Sequence, residues 1–197
     1  MNTLDHVKAL FVESIAVKTE ALPVLAAPIV RASQQLHACL QAGGKILACG
    51  NGGSAADAQH FSSELLNRFE VNRRGLAAIA LTTDSSTLTS IANDDAYTRI
   101  FARQVEALGR AGDILLAIST SGDSPNVVQA IQSAHTLGIS VIALTGKNGG
   151  IIANVLQETD CELRVPSMRT ARIQEVHILL IHCLCSLLDE SVQHSGN

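Results

Sequence analysis

The sequence predicts an α/β fold of three layers, in which one parallel sheet carries helices on both faces behind a helical N-terminal extension. Three observations lead there. Five apolar runs of strand length recur after Gly44, helical stretches separate them, and most of the runs lead into segments rich in Gly, Ser, Thr, Asn or Asp.

Taken in order, residues 3–20 place Leu4, Val7, Phe11 and Ile15 at helical spacing. A second helix is expected over 24–42, with Pro23 near its start and Gly43-Gly44 after its end. Pro28 leaves the first turns of that helix open. The strand runs are Ile46–Cys49, Leu76–Leu81, Ile114–Ile118, Val141–Leu144 and Cys161–Val165. Between and after them, helices are expected over 54–67, 85–93, 97–108, 125–137, 149–156 and 169–190. Repeats, low-complexity stretches and long linkers are absent. The expected organisation is one domain over 1–197, with 1–43 as a helical extension and 44–197 as the α/β core and last helix.

Composition narrows the function. The chain is 47% hydrophobic and 16% charged, which suits a large core and excludes a disordered chain. A formal net charge of -4 argues against direct nucleic-acid binding. Phe11, Phe61, Phe69, Tyr97 and Phe101 are too few for base-stacking platforms. Cys39, Cys49, Cys161, Cys183 and Cys185 sit mostly in apolar runs and read as reduced structural thiols. The start of the chain lacks a signal-peptide pattern, and the apolar run Ile178–Leu188 is too short for a bilayer. A cytoplasmic protein with no membrane partner is expected.

In a parallel sheet, ligands bind beyond the carboxyl ends of the strands. That rule selects Gly50–Ser54, Thr82–Ser86, Ser119–Ser124 and Thr145–Gly150. Cys49-Gly-Asn-Gly-Gly-Ser54 is a glycine turn between a strand and a helix, where backbone N–H groups can face a polar or anionic ligand. Ser119-Thr-Ser-Gly-Asp-Ser124 offers four hydroxyls, a glycine and a helix N-terminus, which fit a phosphate. It lacks the Gly-Lys-Ser ending of a nucleotide loop. An ordinary helix cap at Ser124, before Pro125, would account for part of the same pattern.

His60 and Glu64, four residues apart, share one helix face. They can be read as a solvated face, which the pair alone favours, as a metal pair or as an acid/base pair, and their position on the helix leaving the glycine turn raises the functional readings. In the last helix Gln174 and His182 lie about 80° and 12 Å apart. His177 and His182 are about 140° apart and do not face one pocket. His182 sits in an apolar run, where a satisfied core histidine is the plain alternative. The last helix is apolar nearly all round, which points to a subunit interface. Asn93-Asp94 ends an apolar turn and reads simply as a helix stop.

Together, Cys49-Gly-Asn-Gly-Gly-Ser54, Asp57-Ala-Gln-His-Phe61, Ala80-Leu-Thr-Thr-Asp84, Ile118-Ser-Thr-Ser-Gly122 and Ala171-Arg-Ile-Gln-Glu-Val-His177 resemble the phosphoheptose isomerases of the sugar-isomerase (SIS) domain family. The resemblance covers nearly the whole chain. It implies a five-stranded parallel sheet of flavodoxin-like type and a homotetramer that uses the N-terminal helices in assembly. It implies conversion of D-sedoheptulose 7-phosphate to D-glycero-D-manno-heptose 7-phosphate, the first step toward ADP-heptose and the lipopolysaccharide core.

Carried over by position, the catalytic pair falls on Glu64 and His182. Zinc, one per subunit, would be held by His60, Glu64, Gln174 and His182. Substrate-binding positions fall on Asn51, Gly52, Gly53, Ser54, Glu64, Asn93, Asp94, Ser119, Thr120, Ser121, Ser124 and Gln174, with Arg68 a weaker candidate. The family usually has Asn at position 123, so Asp123 is a small departure. The same family holds a non-enzymatic relative, the DnaA initiator-associating protein. It lacks the carboxylate and histidine that match Glu64 and His182, and DnaA would be a partner only under that alternative.

For the isomerase, an enediol route needs one group for the carbon-bound proton and one for the oxygen proton. Glu64 is the expected base and His182 its partner. The rise between Gln174 and His182 predicts a site built from two chains.

Overall fold

The computed structural model describes residues 2–195, with side chains described through Gln193. The chain begins with one helix, α1 (Thr3–Gln41), capped at its start by Asn2, whose side chain accepts from the Asp5 amide at 2.9 Å. Two helices were expected here, and there is one. Pro23 and Pro28 both lie inside it. An interior proline costs a helix about 3 kcal/mol, and burial of one face of α1 offsets that cost. Ala21, Leu25, Ala32 and Leu36 are buried in the main core on either side of the two prolines. Gly43, at φ +80°, and Gly44 then turn the chain into the sheet.

The sheet contains β1 (Ile46–Gly50), β2 (Ala78–Ala80), β3 (Ile114–Ile118), β4 (Ser140–Thr145) and β5 (Cys161–Arg164). Its order is β2-β1-β3-β4-β5 and every pairing is parallel. This is the flavodoxin-like order, with its switch point between β1 and β3. All five expected strands form, although the run Leu76–Leu81 contributes only three paired residues.

The helices are α2 (Gly53–Leu66), α3 (Ser85–Asp94), α4 (Ala102–Leu108), α5 (Pro125–Thr136), α6 (Gly150–Val155) and α7 (Thr170–Ser195), with a short 3-10 turn at Tyr97–Arg99. Strand side chains alternate between two cores, as the period of two requires. Ile46, Ala48, Ile114, Leu116, Ile142 and Leu144 face α1, α2 and α7. Leu47, Cys49, Leu115, Ala117, Val141 and Ala143 face α4, α5 and α6. Thr170–Gln193 is long and apolar enough to cross a membrane by length and composition, but half of its most apolar stretch is buried in this fold. Ile178 and Leu179 stay 41% exposed, so one chain does not cover every side of α7.

Candidate active site

The switch point places the glycine turn after β1 beside the serine loop after β3. A reciprocal amide pair joins them. Asn51 Nδ2 donates to Asn126 Oδ1 at 2.8 Å, and Asn126 Nδ2 donates to Asn51 Oδ1 at 2.8 Å. The Tyr97 hydroxyl also donates to Asn51 Oδ1, at 3.2 Å. Asn51, expected at the substrate, therefore has its amide engaged within the protein. Asn126 was not anticipated. Its one signal is a polar residue in the first turn of a helix whose neighbours Val127 and Val128 are buried.

The serine loop is built on its own hydroxyls. Ser119, 3% exposed, shares a 2.9 Å hydrogen bond with Ser124, and its oxygen accepts from the Gly122 amide at 3.2 Å. Ser124 stands at the N-cap position of α5, yet its side chain makes no capping bond. The ordinary cap reading thus gives way to a hydroxyl turned toward the loop. Gly122 has φ +74°, and a Cβ there would lie 1.9 Å from the Gly149 carbonyl oxygen. Thr120 and Ser121 are half-buried. Asp123 turns away, as its Oδ1 accepts from the Ile151 amide at 2.9 Å at the start of α6.

Helices α2 and α7 rise from this turn side by side. At their starts, Gln174 lies against Gly53, where an added Cβ would come within 1.7 Å of Gln174 Nε2. Two turns on, His60 Nε2 and His182 Nε2 are 3.0 Å apart. Glu64 Oε1 is 3.7 Å from His60 Nε2. His182 is thus not a satisfied core histidine. Its ring lies between His60 and Phe69, with centroid separations of 5.2 Å and 5.5 Å.

His60, Glu64 and His182 come together within one chain, and Gln174 stands apart from them at the glycine turn. Ser54, buried, and Gly52, at φ +56°, complete that turn. Asn93 and Asp94 close α3, exposed and bonded to each other at 2.7 Å. Arg68 is exposed just past α2.

Two buried ionisable groups flank the site. Asp57 lies one turn before His60. Burial pushes its carboxyl up to about 6, against the pull of His60, and its Oδ2 has no hydrogen-bond partner. His177 is fully buried and donates from Nε2 to the Thr145 carbonyl at 2.9 Å. Burial drives its imidazole down to about 4. It ties α7 to β4 and faces away from His182, as the helical angle predicts.

The imidazole pair suits a cation. Tetrahedral zinc with bonds of about 2.0–2.1 Å sets ligand nitrogens roughly 3.3 Å apart, close to the His60–His182 spacing. Among the described residues, no three His, Cys, Asp or Glu side chains already surround one cation position. A rotation of Glu64 and a fourth donor would complete such a set.

The SIS domain family matches residues 10–146. A phosphoheptose isomerase of Chromohalobacter salexigens is 63% identical over 182 residues, 92% of each chain. One from Alkalilimnicola ehrlichii is 62% identical over 190 residues, 96% of this chain and 97% of its own. Among solved structures, a phosphoheptose isomerase from Neisseria gonorrhoeae superposes with a TM-score of 0.92 at 53% identity, covering 96% of this chain and all of its own. One from Francisella tularensis gives 0.94 at 49% identity with the same coverage.

Proposed function

Because this chain belongs to the SIS domain family and matches phosphoheptose isomerases along nearly its whole length, we infer that it interconverts D-sedoheptulose 7-phosphate and D-glycero-D-manno-heptose 7-phosphate. It is an isomerase. The product would feed the ADP-heptose route to the lipopolysaccharide core. The observation that carries the chemistry is the convergence of Glu64, His60 and His182 on the helices that leave the glycine turn.

The phosphate sits at the serine loop, where backbone amides, the α5 N-terminus and the hydroxyls of Thr120, Ser121 and Ser124 meet. The sugar then extends across Gly52, Gly53 and Ser54 toward α2 and α7. Glu64 takes the carbon-bound proton and His182 handles the oxygen proton, a division of labour suited to near-neutral pH. The presence of both groups favours the enzyme over the non-enzymatic, initiator-associating alternative. His60, Glu64 and His182 would hold a zinc ion, which when bound polarises the carbonyl and steadies the developing oxyanion.

Gln174 stands about 12 Å along α7 from His182, so one copy does not bring it to the imidazole pair. The reading therefore keeps Gln174 at the sugar, beside Gly53, and draws the Gln174 that would complete the metal set from a second chain in a homotetramer. The exposed apolar residues Leu4, Phe11, Val12 and Ile15 of α1, with Ile178 and Leu179 of α7, support such an assembly. Five free cysteines suit a reducing cytoplasm.

The test is turnover of sedoheptulose 7-phosphate by the purified protein, with and without chelator. Glu64→Gln and His182→Asn should each abolish it and leave the assembly intact. Turnover by Glu64→Gln sinks the base assignment, and a wild type without turnover sinks the reading. Chelator-insensitive turnover removes zinc from it.

A further inference from the structure

The segment 67–77, between α2 and β2, is held by one buried ion pair that the chemistry above does not use. Arg73 Nε donates to Asp189 Oδ1 at 2.6 Å, and the two side chains are 4% and 5% exposed. The rest of the guanidinium grips the end of α2. Its Nη2 donates to the Glu64 carbonyl at 2.9 Å, and its Nη1 donates to the Leu65 carbonyl at 2.9 Å and the Arg74 carbonyl at 3.2 Å. The carbonyls of Glu64 and Leu65 belong to the last turn of α2, where no intrahelical donor remains for them. Asp189 uses its other oxygen to accept from the Glu70 and Val71 amides at 3.1 Å and 3.2 Å.

The pair therefore joins α2, α7 and the loop between α2 and β2. Glu64 is itself one of the residues whose backbone Arg73 holds. Asp189 is seven residues beyond His182 on α7, about 20° away from the same helix face and roughly 10 Å along it. The loop closed by the pair delivers Phe69, whose ring lies 5.5 Å from the His182 ring at a 31° tilt.

We propose that Arg73 and Asp189 are positioning residues for the isomerase reaction: they lock the carboxylate helix to the imidazole helix, and through Phe69 they set the orientation of the His182 ring. The proposal rests on Glu64 and His182 acting as the catalytic pair. A guanidinium suits this task because its planar fork reaches a carboxylate and carbonyl oxygens at once, whereas an ammonium is a single point. A misplacement of a catalytic group by about 1 Å can cost about a hundredfold in rate.

Arg73→Lys keeps the charge opposite Asp189 and loses the fork. Phe69→Leu keeps apolar bulk in a half-exposed loop and removes the ring. Each is assayed with sedoheptulose 7-phosphate beside the wild type, with the melting midpoint and assembly size measured on the same samples. The expected result is a kcat lowered about tenfold or more by Arg73→Lys and about threefold or more by Phe69→Leu, with KM within about threefold in both. If Arg73→Lys yields no folded protein, Phe69→Leu decides alone by the same limits.

Melting midpoints that fall while kcat stays within about twofold of wild type would overturn the proposal, because the pair would then serve the fold only. A rise in KM at unchanged kcat would overturn it as well. Failure of the catalytic reading looks different: the wild type would be inactive, or Glu64→Gln would be active.

Discussion

Gly53→Ala tests whether Gln174 acts on the substrate, and its effect can be worked out before it is made. Gly53 opens α2 and is not among the glycines with positive φ, so its backbone accepts alanine. A Cβ would lie 1.7 Å from Gln174 Nε2, 2.6 Å from Cδ and 2.9 Å from Oε1. All three atoms are the far end of a flexible side chain, so Gln174 swings away and the backbone stays. Alanine in place of glycine inside a helix gains about 0.5–1 kcal/mol. Displacing the glutamine from its rotamer costs about 0.5–1.5 kcal/mol. The two nearly cancel, and the melting midpoint should move by no more than about 4 °C in a chain of this size. Activity should not be spared. A hydrogen bond to a charged group contributes about 1.5–3 kcal/mol. Its loss at the transition state lowers kcat/KM about 10- to 100-fold. The assay is turnover of sedoheptulose 7-phosphate together with thermal unfolding of the same preparation. A folded Gly53→Ala enzyme with kcat/KM within about twofold of wild type would refute the placement of Gln174 at the substrate.

Other outcomes follow from the same geometry. His177 should contribute an acid-sensitive share of the stability: below its ordinary value of 6.5 the unfolded chain takes up a proton that the folded chain refuses until about 4. The His177 contribution is therefore complete above about pH 6.5 and is lost as pH falls toward 4, by about 3 kcal/mol, while Asp57, raised to about 6, acts in the opposite sense over the same window. The His177 slope is read as the difference between wild type and His177→Gln in urea unfolding at fixed protein concentration. Relative to wild type, His177→Gln should gain stability as pH falls from about 6.5 to 4. Ser124→Ala removes the hydroxyl bonded to Ser119 without touching Glu64 or His182, so KM should rise about tenfold while kcat falls less, in initial-rate kinetics. Gly122→Ala should fail to fold, since its Cβ would meet a backbone carbonyl at 1.9 Å at φ +74° with nothing flexible to yield, and circular dichroism reads that directly.

Much of the fold was legible because its signals are local. Runs such as Ile114–Ile118 and Val141–Leu144 are apolar at strand length, and a strand buried on both faces reads that way wherever it sits. The N-terminal helix is one helix where local signals point to two, for a related reason. Pro23 and Pro28 are strong local breakers, and only burial of Ala21, Leu25 and Ala32 against the rest of the fold keeps the helix continuous. The serine loop was legible as a ligand turn, but the Ser124 hydroxyl could have capped α5, and only its closeness to Ser119 settles where it points.

The site divides in the same way. The pairing of His60 with Glu64 needs only the 3.6-residue turn, and so does the divergence of His177 from His182. No spacing along the chain could bring His60 to His182, 122 residues away, or say that Gln174 packs against Gly53. Nor could it pair Asn51 with Asn126, or Arg73 with Asp189. The sequence by itself determined the strands, the ligand turns, the helix faces and, through its motifs, the family. The tertiary structure decided which of those faces meet. The physical reason is range: helix and strand periods are set by neighbours within a turn or two, whereas contacts between α2 and α7 depend on the sheet that packs both helices onto one face.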